Sequence, residues 1–196
     1  HGGPAALAGA DDLAATQQAF GVAIYDRYAY VTDWLRRLDV FDLSNPTTPR
    51  LVAHRADTPT GSGNSVTVAN GRLYATMKAG GLAIYDLANP ANPAFLGRIS
   101  PPADAPLCKG VFVQGNYAYV ADEKGGTLVI DVSNPAAPRL TGSLTRYAES
   151  PWVVGRWVYV AGGQEGLRVF DVPDPARPPR TQVAVYDSAG FAYDVQ

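Results

Sequence analysis

A repeated, all-β architecture of four-stranded antiparallel blades is what this sequence predicts, and three observations carry the prediction. The first is a stretch that occurs four times. Its copies are Leu38-Asp-Val-Phe-Asp-Leu-Ser-Asn-Pro-Thr-Thr-Pro49, Leu82-Ala-Ile-Tyr-Asp-Leu-Ala-Asn-Pro-Ala-Asn-Pro93, Thr127-Leu-Val-Ile-Asp-Val-Ser-Asn-Pro-Ala-Ala-Pro138 and Leu167-Arg-Val-Phe-Asp-Val-Pro-Asp-Pro-Ala-Arg-Pro178. The second is that the Asp of each copy (Asp42, Asp86, Asp131, Asp171) and a separate Tyr landmark (Tyr30, Tyr74, Tyr119, Tyr159) recur at the same spacings of 44, 45 and 40 residues. The third is composition: 20 Gly, 16 Pro and 11 Tyr in 196 residues suit short strands and turns rather than helices. A period of about 40–45 residues built from short β runs is the mark of propeller blades.

Taken in order, residues 1–20 fall outside the repeat and read as an irregular lead-in. The blades follow at about 21–64, 65–108, 109–150 and 151–190, and residues 191–196 open a further one. In the third unit the expected strands are Val111–Gln114, Tyr117–Ala121, Thr127–Val132 and Arg139–Leu144. Tight turns between the first two strands are expected at Asp26-Arg27, Asn70-Gly71, Gly115-Asn116 and Gly155-Arg156, residue pairs of the kind that supply positive φ. The third strand, as in Leu128-Val-Ile130, is apolar on both faces, as a sheet wedged between neighbours requires. Four full units plus the start of a fifth imply a ring of roughly five to eight blades, or an array completed by another chain.

Leu128-Val-Ile-Asp-Val with Ser-Asn-Pro after it, preceded by Asn116-Tyr-Ala-Tyr-Val-Ala-Asp122, resembles the LVIVD-repeat β-propeller family over about residues 21 to 196. The resemblance implies a propeller of secreted or cell-surface proteins of bacteria and archaea, serving as a scaffold or interaction module without an assigned catalytic activity. The chain departs from the pattern at Pro173, where Ser or Ala is usual, and in a fourth unit about four residues shorter, which bears on the outer edge of that blade.

Charge and motif content narrow the chemistry. A formal net charge of −2 with scattered basic residues leaves no footprint for nucleic acid. No apolar run reaches the roughly 18–20 residues of a membrane span. Residues 1–10 lack the charged start and apolar block of a signal peptide, although a chain beginning with His rather than Met is compatible with a processed, extracellular protein. Two His and one Cys are too few for a zinc cluster, so no metal site and no cofactor are expected, leaving open only a calcium held by channel carbonyls. No Gly-x-Ser-x-Gly, phosphate-binding loop or haem-attachment motif occurs. Cys108 would be activated if Lys109 faced it, yet a lone cysteine at the start of a strand reads as a packing residue.

The recurring Asp residues read as acceptors for backbone N–H groups of the bend that follows, and the recurring Tyr residues as rings buried between blades. Binding candidates are therefore sought where the units differ. Trp34 with Arg36 and Arg37 has the composition favoured at interfaces, while Trp152 and Trp157 are expected in the core. Asp33, Asp122 and Glu165 follow second strands of different blades and should share one rim. The expectation is a non-enzymatic extracellular or cell-surface module that binds protein, polysaccharide or copies of itself, with a free blade edge for self-assembly. The alternative is a lactonase-like hydrolase using carboxylates or a metal at the channel mouth.

Overall fold

The computed structural model of the chain describes residues 19–34, 38–55, 61–100, 107–179, 181–187 and 189–196. Among the described residues sixteen strands form four antiparallel sheets, each taken consecutively from the chain. The first sheet is β1 (Ala19–Tyr25), β2 (Tyr28–Asp33), β3 (Leu38–Asp42) and β4 (Arg50–Arg55). The second is β5 (Val66–Ala69), β6 (Arg72–Thr76), β7 (Leu82–Asp86) and β8 (Ala94–Ile99). The third is β9 (Cys108–Gln114), β10 (Tyr117–Asp122), β11 (Gly126–Asp131) and β12 (Arg139–Ser143), and the fourth β13 (Ser150–Val154), β14 (Trp157–Ala161), β15 (Leu167–Asp171) and β16 (Ala184–Tyr186). First strands adjoin one another from sheet to sheet (β1 on β5, β5 on β9, β9 on β13), so the sheets fan out from a central groove that the first strands line.

The two-residue turns lie where the sequence puts them. Asp26 and Asn70 take φ of 54° and 52°, and Gly115 and Gly155 take 59° and 62°, the left-handed geometry that matches the twist of paired strands. β9 begins at Cys108, three residues before the expected Val111. The apolar run stops at Val111, but the ladder continues past an irregularity between Val120 and Asp122 to pair Cys108 with Asp122. The shorter fourth period does not fall at that blade's outer edge. A count from Asp to Asp spans the crossing from one blade's last strand to the next blade's first. That crossing is residues 144–149 between β12 and β13, against 100–107 and 56–65 in the earlier units.

In the first three blades the Asp at the end of the third strand holds the bend that follows. Asp42 Oδ1 accepts from the N–H (2.9 Å) and hydroxyl (2.5 Å) of Ser44. Asp86 accepts from the N–H of Ala88 at 3.0 Å and Asp131 from that of Ser133 at 2.9 Å. These donors hold the carboxyls of Asp42 and Asp131 below the usual carboxylate range. The fourth unit cannot do this, because Pro173 has no N–H to give. There Asp171 makes a two-pronged ion pair with the guanidinium of Arg156 in the turn of the same blade.

The bends in turn fasten one blade to the one before. The Tyr30 hydroxyl donates to the carbonyl of Pro90 (2.9 Å), Arg55 donates to that of Pro93 (2.9 and 2.6 Å), and the Thr141 hydroxyl donates to that of Pro175 (2.8 Å). Tyr30, Tyr74 and Tyr119 fill the gaps between blades, whereas Tyr159, expected there too, lies half-buried on the outer face of the fourth blade. Burial pushes the phenols of Tyr30 and Tyr119 up to about 12, with smaller electrostatic contributions from neighbouring groups. The equivalent Tyr74 is equally buried, but its hydroxyl has no partner among the described residues. Tyr30→Phe is therefore expected to cost about 1 kcal/mol, while Tyr74→Phe is neutral or slightly stabilising. Urea midpoints of the two variants check this, and equal losses would refute the assignment of the partner.

The core consists of three apolar layers between consecutive blades. Tyr30, Leu38 and Val40 of the first blade face Leu73, Ala83 and Tyr85 of the second. Tyr74 and Ile84 face Val120 and Ile130, and Tyr119 and Val129 face Val158 and Phe170. The two end faces carry the same kinds of residue. On β1, Val22 and Ile24 are 65% and 66% exposed, while Val66, the counterpart of Val22 on β5, is buried. On the fourth blade, Trp157 is 40% exposed rather than in the core, because its side of β14 is the one that a following blade would cover. Trp152 is half-buried and packs on Phe112, with ring centroids 4.7 Å apart.

Candidate functional site

Twenty-two residues before each signature Asp, at or just before the first strand, the four units carry Phe20, Asn64, Lys109 and Glu149. A fifth member follows from the backbone. Ala192 bridges Gly163 as Cys108 bridges Lys78, so Tyr193 stands where Lys109 does. All five face one hollow of about 430 Å³ at one end of the groove, whose floor is made by Ser65, Gly110, Ser150 and Asp194 at the next position along. One backbone position thus presents an aromatic, an amide, an ammonium, a carboxylate and a phenol in succession.

A second row surrounds the first. Eight residues before each Asp, in the turn between second and third strands, stand Trp34, Lys78, Glu123 and Gly163. Trp34 is 51% exposed, lies 6.0 Å from the Phe20 ring, and shares with it the ammonium of Lys78, which sits 4.3 Å and 4.9 Å from the two ring centroids. Gly163 takes φ of 62°, and any side chain there would collide with the rings of Tyr147 and Phe191. Its bareness lets Phe191 reach in against Tyr147 (6.4 Å, edge-on) and against Tyr193 (4.4 Å). The mouth therefore has an aromatic group at each end.

Between these groups lies a charged network. Lys109 Nζ donates to both oxygens of Glu149 (2.6 and 2.7 Å) and pairs with Glu123 (2.8 Å), while the Tyr147 hydroxyl donates to Glu149. Burial alone would lower the Lys109 ammonium, but its hydrogen bonds to Glu123 and Glu149 outweigh burial and hold it above the ordinary lysine value. It is a fixed, fully protonated cation and not a general base. Ser150 donates to Asp194 at 2.6 Å beside it.

The carboxylates expected on one rim have separate duties. Asp122 is buried, and its Oδ1 accepts from the N–H groups of Lys124 (2.9 Å) and Gly125 (2.7 Å), pinning the β10–β11 turn. Asp33, buried at the end of β2, holds the corresponding place in the first blade, where its carbonyl accepts from the N–H of Gly63. Glu165 is exposed, paired with Arg168 at 3.0 Å, and borders the same hollow as Tyr147 and Phe191. Arg36 and Arg37 lie outside the described residues, as does His1. Cys108 faces Asp122 Oδ2 at 3.6 Å, and burial, reinforced by that carboxylate, pushes its thiol well above the ordinary range. Lys109 turns to its carboxylates and does not activate the thiol. Among the described residues no group of His, Cys, Asp or Glu is arranged to hold a metal, and no helix is long and apolar enough to cross a membrane.

Four radial, four-stranded sheets with chemistry gathered at one end of their groove define a β-propeller. The LVIVD-repeat model matches residues 17–57, 60–100, 108–146 and 145–181, and the chain belongs to that family. No curated protein matches it significantly in sequence. Among solved structures it is similar to a putative 6-phosphogluconolactonase from Bacteroides fragilis, with a TM-score of 0.76, 12% identity, and 90% of this chain covering 56% of that one. It is also similar to two computationally designed proteins, Ika8 (TM-score 0.67, 10% identity, 89% of this chain and 50% of that one) and Ika4 (TM-score 0.63, 11% identity, 80% and 92%). The chain thus spans about half the length of Ika8 and of the Bacteroides protein, and the likeness concerns the fold.

Proposed function

We propose that this chain is a non-catalytic recognition module, acting outside the cell, that takes its ligand at the mouth of the central groove. The carrying observation is the row of five side chains at one backbone position. Elsewhere the blades repeat the same Asp, Tyr and Pro, but here each blade offers different chemistry. The candidate acids favour binding over turnover, since Asp33 and Asp122 are buried and Asp122 is committed to a turn. The exposed end faces, Val22 and Ile24 on one side and Trp157 on the other, support a scaffold role in which further blades complete the array.

The test uses labelled full-length protein and a panel of bacterial and archaeal cell envelopes. Wild type is expected to bind at least one envelope, and the Phe20→Ala/Tyr193→Ala double variant to lose that binding while keeping its β-rich spectrum. Equal binding by both would remove the mouth from the proposal. Hydrolysis of 6-phosphogluconolactone above the buffer rate would favour the lactonase reading instead.

A further inference from the structure

We infer that the mouth takes a neutral saccharide, held by sugar faces against Phe20 and Tyr193 and by hydroxyls on the polar floor. This rests on the recognition reading and names the ligand class for the same site. A pyranose ring pairs an apolar C–H face with an edge of hydroxyls that both donate and accept. Its complement is a polarised aromatic face beside mixed polar groups, within a hollow in the range of about 300–1,000 Å³ usual for small ligands.

The hollow meets each requirement. Its volume is about 430 Å³. Phe20 and Tyr193 are both exposed, at the first and fifth positions of the row, and each is braced by a second ring, Trp34 and Phe191. Between them the amide of Asn64, the hydroxyls of Ser65 and Ser150 and the carboxylate of Asp194 line the same space. Those groups offer donors and acceptors in mixture, which suits vicinal hydroxyls.

Charge selects against other ligands. Among the described residues the only ammonium lining the hollow is that of Lys109, held between Glu149 and Glu123, so an anionic ligand finds no free cation among them and meets Asp194. A cationic ligand is repelled at the other end by the Lys78 ammonium, which lies close to the Phe20 and Trp34 rings. A neutral ligand disturbs neither pair.

The experiment is calorimetric titration of the full-length protein with defined hexasaccharides. Cellohexaose, laminarihexaose, maltohexaose and mannohexaose serve as neutral probes, hexagalacturonate as the anionic probe and the glucosamine hexamer as the cationic one. At least one neutral probe is expected to bind more tightly than either charged probe. Tyr193→Ala and Phe20→Ala should each weaken it about tenfold, in line with the loss of one aromatic contact. Trp157→Ala, on the far face, should leave it unchanged. The inference is overturned if no neutral probe binds, if a charged probe binds more tightly, or if Tyr193→Ala and Phe20→Ala bind as wild type does. Envelope binding that depends on the mouth, survives periodate and is lost on protease treatment would overturn the saccharide assignment while leaving the recognition role standing.

Discussion

Tyr119→Ala is expected to cost about 3–5 kcal/mol, and Tyr159→Ala only about 1–2 kcal/mol, although both remove the same side chain from the same place in the repeat. Tyr119 is closed in between the third and fourth blades with Val129, Val158 and Phe170 around it. Its removal leaves a hole that a close-packed layer only partly collapses into. Tyr159 lies on the face of the fourth blade that also carries Trp157, and is only half-buried. Its loss removes little area from an apolar environment and creates no enclosed cavity. Guanidinium denaturation of the two variants, read at the midpoint, makes the comparison. A Tyr159→Ala loss as large as that of Tyr119→Ala would mean that this end face is covered in solution.

Lys109→Met is expected to cost about 2–4 kcal/mol, because it leaves the nearly buried carboxylate of Glu149 without its cation. Glu123, about a third exposed, is partly resolvated, which keeps the loss below that of a fully enclosed pair. The double variant Lys109→Met/Glu149→Gln should recover most of the deficit, since it removes the orphaned charge as well. The pH dependence has a definite sign. The folded-state value of Lys109 is raised above its ordinary 10.5, so its contribution is complete below that value and is lost as pH rises through the folded value. The gap between wild type and Lys109→Met should therefore be constant through neutral pH and shrink only in strong alkali. A gap that widened above pH 10.5 would contradict the assignment.

The scaffold was legible in the sequence because its devices repeat. The Asp, the paired prolines and the turn residues each do one local job in every blade, so counting copies separates them from sites. Even the exception can be explained from the residue alone, since Pro173 lacks the donor that Ser44 and Ser133 supply and Arg156 takes over. The mouth was hard to see for the opposite reason. Phe20, Asn64, Lys109, Glu149 and Tyr193 share a backbone position but no single residue type, so no motif marks them. Their partnerships also cross blades: Lys109 finds Glu149 forty residues away, and Tyr147 joins the network from the crossing before β13. The signal that could have found them is the offset from each Asp, read for difference rather than likeness. Trp157 was misplaced because period and hydrophobicity are those of an interior blade, and only the three-dimensional array shows that nothing among the described residues lies beyond it.

Because three of the four blades lock the bend with their own carboxylate, and an inner blade carries half of an apolar layer on either side, a single unit holds nearly all the instructions for its own shape. Tandem duplication of such a unit inserts a ready-made wedge whose two faces already match those of its new neighbours. The copy then starts with a spare mouth residue that no neighbouring bend depends on. Divergence can begin there at once, so that lineages built from this unit can change what they grip without relearning how to fold.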